Sequence, residues 1–226
     1  MILPLSIEGI FRPIIKHLFK EKQFTDETNK VINTLTTATI GLWNKVKNTM
    51  LPTPQKFHYV FNMRELSRIF KGILGVKKET INSASTVGVA NMKPEVFLVG
   101  LWRHECERVF ADKMITSKDK DTIANYINEM TMDHFSQLES EINDKFSADK
   151  TFLFLDFLRE DVKNDEGAVE QLAEKVYEVI NNLEKLRARC VELLGDYNTK
   201  YISKKMPLVL FDDALKHLLR ISRCIQ

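Results

Sequence analysis

Residues 51–74 read LPTPQKFHYVFNMRELSRIFKGIL, which combines a chain break, a helix-start signal and an amphipathic period. Pro52 and Pro54 cannot sit inside a helix, so the chain is interrupted there. Asn62 then offers a side-chain oxygen of the kind that caps the free N–H groups of a helix start. Met63, Leu66, Phe70 and Ile73 recur at three- and four-residue spacing, predicting a short helix with one buried stripe. Arg64, Ser67, Arg68 and Lys71 fall mostly off that stripe, and Gly75 is placed to close the helix. Arg64 lies in the first turn, where a helix carries partial positive charge and unpaired N–H groups. An arginine there can point at an anion supplied by another part of the protein; the plain alternative is a solvated surface arginine.

The flanking sequence extends the helical pattern in both directions. On the N-terminal side, Val31, Leu35, Ala38, Leu42 and Val46 mark one face of a helix over roughly 25–50. Before it, Ile7, Ile10, Phe11, Ile14, Ile15, Leu18 and Phe19 mark another, with Pro13 expected to kink or restart it. On the C-terminal side, VKKETINSASTVGVANMKP (76–94) is polar, small and aperiodic, and reads as a flexible loop. Pro94 suits the first turn of a helix reaching about Met114, and SKDKD (117–121) is expected to separate it from a helix carrying Ile123, Tyr126, Ile127 and Met130. Phe135, Leu138, Ile142 and Phe146 continue a helical spacing, whereas TFLFLDFL (151–158) fits a short strand or a buried loop equally well. Leu172, Val176, Val179, Leu183, Leu186, Cys190 and Leu193 alternate by four and three, predicting one long helix with a coiled-coil-like seam that Gly195 ends. In the last segment Leu208, Phe211, Leu215, Leu218 and Ile225 are expected to share a face, opposite a basic face of Lys216, Arg220 and Arg223. No strand alternation or internal repeat stands out, and the class is all-α.

Composition narrows the function. With 44% hydrophobic and 28% charged residues and a net charge of +2 over 226 residues, the balance is that of an ordinary globular protein, and no strong field draws nucleic acid or an anionic membrane. Three cysteines, Cys106, Cys190 and Cys224, match no zinc or redox spacing, and an odd count does not suit a disulfide framework. No apolar run reaches the ~18 residues of a membrane span. The N-terminal MILPLSIEGIFRPIIK lacks a basic segment before its apolar part and is not read as a signal peptide, so an intracellular protein is expected. There is no G-x-x-x-x-G-K-[ST] to cradle a phosphate, and no apolar strand closed by paired acids. HECER (104–108) is not H-E-x-x-H, and His104 and Cys106 fall on different sides of a helix. Asp212 and Asp213 near a helix start favour the helix dipole rather than a metal. The basic C-terminal face, His217 included, has no interleaved aromatic residues for stacking on bases.

Three stretches nevertheless carry a resemblance. LPTPQKFHYVFNMRELSRIFKGIL resembles the stretch that opens the key lid helix in the third AAA+ module of dynein heavy chains, in the form found in axonemal members. GLWRHECERVFADKM (100–114) resembles the next lid helix, and YNTKYISKKMPLVLFDDALKHLLRISRCIQ (197–226) resembles the segment before the phosphate loop of the fourth module. They occur in family order.

The resemblance implies an AAA+ small-subdomain helical lid over residues 1–130, followed by a helical N-terminal edge of the fourth module over 131–226. It further implies a fragment of the motor ring that senses nucleotide and relays conformational change in ATP-driven microtubule movement. Arg64 matches the sensor-2 arginine that contacts terminal phosphates, and Arg68 is the substitute one turn later. No catalytic or metal-binding residue is implied within the chain. ATP or ADP with Mg belongs to the parent module, whose large subdomain lies outside these residues. Implied partners are the large AAA+ subdomains of the same heavy chain, dynein complex subunits, and microtubules through distant parts of the parent, with no nucleic acid and no membrane. The implied location is the cytoplasm and cytoskeleton, in the axoneme of a cilium or flagellum. The rival reading is a stand-alone helical interaction protein using the 172–193 seam as its partner face. For an enzyme in its own right no residue constellation is present.

One consequence is direct. Calorimetric titration of this 226-residue chain with Mg-ATP should show no defined site of micromolar affinity, since one arginine cannot replace a phosphate loop and magnesium ligands. A saturable micromolar isotherm would overturn the lid reading.

Overall fold

The computed structural model describes residues 4–21, 24–77, 80–81, 85–86, 89–90, 92–145, 153–159, 162–163, 169–171, 173, 175–180 and 182–225. The chain divides into two compact units, one of residues 1–84 and 91–152, the other of 85–90 and 153–226. Helices dominate, as the periodicity predicts.

Among the described residues the first unit contains the helices α1 (Pro4–Glu21), α2 (Asp26–Thr49), α3 (Met63–Leu74), α4 (Pro94–Phe110), α5 (Ser117–Phe135) and α6 (Glu139–Lys145). Helix α1 continues through Pro13 and does not restart there. It buries Ile7, Phe11, Ile15 and Phe19, while Ile10, Ile14 and Leu18 remain exposed. Helix α2 begins at the Thr25 cap and buries all five residues of the expected stripe. The SKDKD segment is not a separator but the first turn of α5, because Thr116 caps it by accepting from the Asp119 N–H at 3.2 Å. After α5, Phe135 and Ile142 are buried as expected and Leu138 lies in a short 3-10 turn; Phe146 falls outside the described residues.

Helix α4 is the centre of the unit. Apolar residues from Val96 to Phe110 are buried around it, and so are Arg103, His104 and Glu105. Each of its buried polar groups has to find a partner inside the protein. Trp102 Nε1 donates to Thr39 Oγ1 of α2 at 2.9 Å, and Thr39 in turn donates to Leu35 O at 2.6 Å. Arg103 donates to Thr131 Oγ1 at 3.0 Å and Asn128 Oδ1 at 2.5 Å on α5. Glu105, fully enclosed, takes two nitrogens of Arg108 at 2.7 and 2.8 Å. Helix α3 lies directly over that carboxylate: a Cβ added at Gly72 would stand 2.3 Å from Glu105 Cδ. Glycine at 72 is thus a condition of the α3–α4 approach.

The second unit contains the two-residue ladder of β1 (Ser85–Thr86) and β2 (Val89–Ala90), within the segment expected to be a flexible loop. It also contains β3 (Leu153–Leu155), β4 (Val162–Lys163), β5 (Val169–Gln171), β6 (Glu178–Ile180), α7 (Leu183–Lys200) and α8 (Asp212–Ile225). β3 pairs antiparallel with β6, Leu153 opposite Ile180, and β4 pairs with β5. The strand-or-loop alternative at TFLFLDFL is therefore settled in favour of a strand.

The seam from Leu172 to Leu193 is not one helix. Val179 is in β6, Leu172 lies outside the described residues, and the helix begins at Leu183 behind Asn182, whose Oδ1 accepts from the Glu184 and Lys185 N–H groups. Gly195 does not end α7, which continues to Lys200. The core of this unit joins Leu153, Leu155, Leu158 and Ile180 to Leu186 and Cys190 of α7 and to Leu215 and Leu219 of α8. The expected C-terminal stripe holds only at Leu215; Leu208, Phe211, Leu218 and Ile225 are exposed, and Leu219 takes the second core position.

Two substitutions test the packing of the first unit. Leu66→Ala, at a fully buried site on α3, should destabilise by about 2–5 kcal/mol in urea or thermal unfolding. Gly72→Ala should cost roughly 1–3 kcal/mol through overpacking against Glu105.

Candidate functional site

The site is the first turn of α3. The capping box is complete: Asn62 Oδ1 accepts from the Arg64 N–H at 2.8 Å, and Glu65 Oε2 accepts from the Asn62 N–H at 2.8 Å. Trp43 Nε1 of α2 donates to Asn62 O at 3.1 Å, securing the same residue from behind. Leu66, Ile69, Phe70 and Ile73 form the buried stripe, with Met63 half-buried in place of the core role expected for it. Phe70 meets Phe11 of α1 with ring centroids 5.1 Å apart.

Arg64 and Arg68 are both exposed, one turn apart on the outward face of α3, together with Ser67 and Lys71. Among the described residues neither guanidinium has an ion-pair partner. What is fixed is the backbone that carries them. Tyr59, buried in the preceding loop, accepts from the Ile115 N–H at 3.0 Å and donates to Asp119 Oδ2 at 2.8 Å. Lys56 Nζ reaches the same carboxylate oxygen at 2.5 Å. His58 Nε2 contacts Lys113 O at 2.9 Å, and Lys113 Nζ pairs with Glu65 Oε1. The loop before α3 is thereby fastened to the corner between α4 and α5.

The electrostatics follow from these contacts. The hydrogen bonds from Lys56 and Tyr59 hold the Asp119 carboxyl at about 2. Burial pushes Glu65 up, but the Lys113 ammonium and the Asn62 N–H outweigh it, and its carboxyl lies below the usual range. Burial raises the Tyr59 hydroxyl, keeping it neutral and able to donate.

The sequence reading found Arg64, Arg68 and Asn62 but missed Glu65, Tyr59, Lys113 and Asp119. Glu65 had a signal, the N-x-x-E spacing of a capping box. Lys113 stands 48 residues from Glu65, and no local pattern announces the pair. His104 and Cys106 are both buried, and burial pushes the Cys106 thiol well up. Asp212 pairs with Arg187, and Arg223 lies 4.0 Å from the centre of the Tyr177 ring. Among the described residues no group of three or more His, Cys, Asp or Glu could hold a metal, and no helix is long and apolar enough to cross a membrane.

The family model of the AAA+ lid domain matches residues 35–145, which include α3 and its arginines. The chain is 37% identical to the dynein gamma chain of the flagellar outer arm of Chlamydomonas reinhardtii, over 97% of this chain and 5% of that protein. It is 35% identical to dynein axonemal heavy chain 10 of Homo sapiens (98% of this chain, 4% of that protein) and 34% identical to dynein axonemal heavy chain 5 of Mus musculus (91% and 4%). Nearly the whole chain is thus similar to one stretch of dynein heavy chains, and about half of it matches the AAA+ lid domain. The chain spans about a twentieth of the length of these relatives.

Acid should weaken the anchoring loop. Asp119 and Glu65 have folded-state values below their unfolded ones, so each contributes stability above its unfolded pKa and loses it as pH falls through the folded value, about 2 for Asp119. The melting-temperature difference between the chain and its Asp119→Asn variant should be constant from pH ~7 to ~5, shrink below pH ~4 and approach zero near pH ~2. A difference that persists there would mean that Asp119 acts through packing rather than charge.

Proposed function

We propose that this chain is the nucleotide-reporting lid of one module in the ring of a dynein motor. Arg64 would contact the terminal phosphates of a nucleotide held by a large subdomain elsewhere in the heavy chain, with Arg68 the substitute one turn later. The observation that carries the reading is an exposed arginine at a helix start whose backbone is clamped by Asn62, Glu65 and Trp43. A guanidinium forms charge-assisted, forked hydrogen bonds to phosphate, and the N-terminal end of a helix adds to the attraction. Gain or loss of the γ-phosphate would then pull on, or release, the rigid unit behind Arg64.

The finer assignments belong to the same proposal. The lid would be that of the third module over residues 1–130, with 131–226 leading into the fourth. ATP or ADP with Mg would be bound by the parent module, not by this chain alone, which lacks enzymatic activity of its own. The uncovered apolar residues Ile10, Ile14 and Leu18 of α1, and Leu51, Phe57 and Val60 of the loop before α3, would pack against large AAA+ subdomains of the same heavy chain. Microtubules would be met by distant parts of the parent, in a dynein complex of a ciliary or flagellar axoneme. The rival stand-alone reading relied on a continuous 172–193 helical seam, and that seam is divided between β6 and α7.

Arg64→Ala separates function from folding. Because the side chain is exposed, the change should alter the stability of this chain by no more than about 0.5 kcal/mol. In the heavy chain the same substitution should weaken the coupling of nucleotide to microtubule gliding. Normal gliding and nucleotide response would pass the role to Arg68, and a collapsed melting temperature would mark Arg64 as structural.

A further inference from the structure

The side chain of Arg64 is not held by any described neighbour, so its reach is set by the first turn of α3. Among the contacts that fasten this region to the α4–α5 corner, those of Lys113 reach the turn itself. Lys113 Nζ pairs with Glu65 Oε1 and donates to Val60 O at 3.4 Å, its ammonium lies 5.2 Å from the centre of the Phe61 ring, and its carbonyl oxygen is 2.9 Å from His58 Nε2. These contacts bracket the cap residue Asn62 on both sides. Glu65 is enclosed, with 4% of its side chain exposed, and spends its second oxygen on the Asn62 N–H. A shift of Lys113 therefore drags the carboxylate that closes the capping box.

We propose that Lys113 is a positioning residue for Arg64: acting through Glu65, it ties the α4–α5 corner to the first turn of α3, so that displacement of the corner redirects the arginine. The proposal rests on the reading of Arg64 as a phosphate-contacting group. Its bland competitor is that Lys113 merely neutralises a buried carboxylate, which would otherwise be costly. The two differ in what happens when charge is removed in balance. Replacing both partners, Lys113→Met with Glu65→Gln, leaves no buried charge. A glutamine oxygen can still accept from the Asn62 N–H, so the cap survives while the Lys113–Glu65 tie is cut and the contacts of Tyr59 and Lys56 with Asp119 remain.

The test uses the heavy chain containing this stretch, with gliding velocity followed against ATP concentration, and melting curves recorded for the same variants. Arg64→Ala supplies the reference effect. The paired variant should melt within about 2 °C of the unmodified protein, yet reproduce at least half of the Arg64→Ala shift in nucleotide response. Combined with Arg64→Ala it should add nothing further, because residues acting through one another are not additive. Lys113→Arg, which keeps the donor and its charge, should stay within about twofold of normal. A paired variant with normal melting and normal response would overturn the positioning role while leaving Arg64 in place. A paired variant that loses its fold would also overturn it, since the bridge would then be structural. An Arg64→Ala motor that responds normally would remove the underlying reading itself, and the proposal with it.

Discussion

Burying a helix on nearly every side imposes a debt that the rest of its unit has to settle. Helix α4 carries Trp102, Arg103, His104 and Glu105 in succession, all enclosed. An unsatisfied buried polar group costs about 1–3 kcal/mol, and a charged one more. The neighbours are arranged around that requirement. Thr39 of α2 stands opposite the indole N–H, Asn128 and Thr131 of α5 stand opposite the guanidinium, and Arg108 folds back one turn to cover Glu105. These contacts set the register of α2 and α5 against α4 more narrowly than apolar packing, which tolerates rotation of one greasy face on another.

The same constraint reaches the candidate site. Because Glu105 occupies the space beneath α3, the helix above can approach only where it has no side chain, at Gly72. Lys113, just beyond the end of α4, receives Glu65 at the other end of α3. The short helix is thus registered near both ends against one long buried helix, and its outward arginines are carried on a backbone with little freedom. Under the proposed role, a phosphate contact made by such an arginine would act on the whole unit rather than on a loose side chain.

The second unit shows where local pattern misleads. Val176, Val179, Leu183 and Leu186 keep a heptad-like spacing, yet they cross from strand into helix at Asn182. The β-branched and aromatic residues of VYEVI favour a strand as soon as Leu153–Leu155 is available to pair with it. Both faces of that pairing are covered: Leu153, Leu155 and Ile180 enter the core, and Phe154 and Val179 are buried on the other side. A strand covered on both faces has no polar–apolar alternation to reveal it. Of the basic C-terminal face of Lys216, His217, Arg220 and Arg223, Arg223 is laid over Tyr177.

By itself the sequence determined the helices of the first unit and where several of them start, because amphipathic period, proline and capping residues act within a few positions of one another. Val31 to Val46 of α2, the Asn62 cap and the placement of Arg64 and Arg68 off the apolar stripe were all legible in this way. The resemblance to dynein heavy chains was legible there too, as residue identity shared over nearly the whole chain. The tertiary structure alone decided which residues hold the candidate site. Glu65–Lys113 and Tyr59–Asp119 join positions 48 and 60 residues apart, and the identity of a lysine on a surface turn carries no mark of the carboxylate it will meet. It likewise decided that SKDKD begins a helix rather than dividing two, and that the 172–193 run is split between a strand and a helix. In each case the deciding energy came from a partner distant in sequence, an ion pair closed across the fold or a strand that was only there to pair with once the chain had folded.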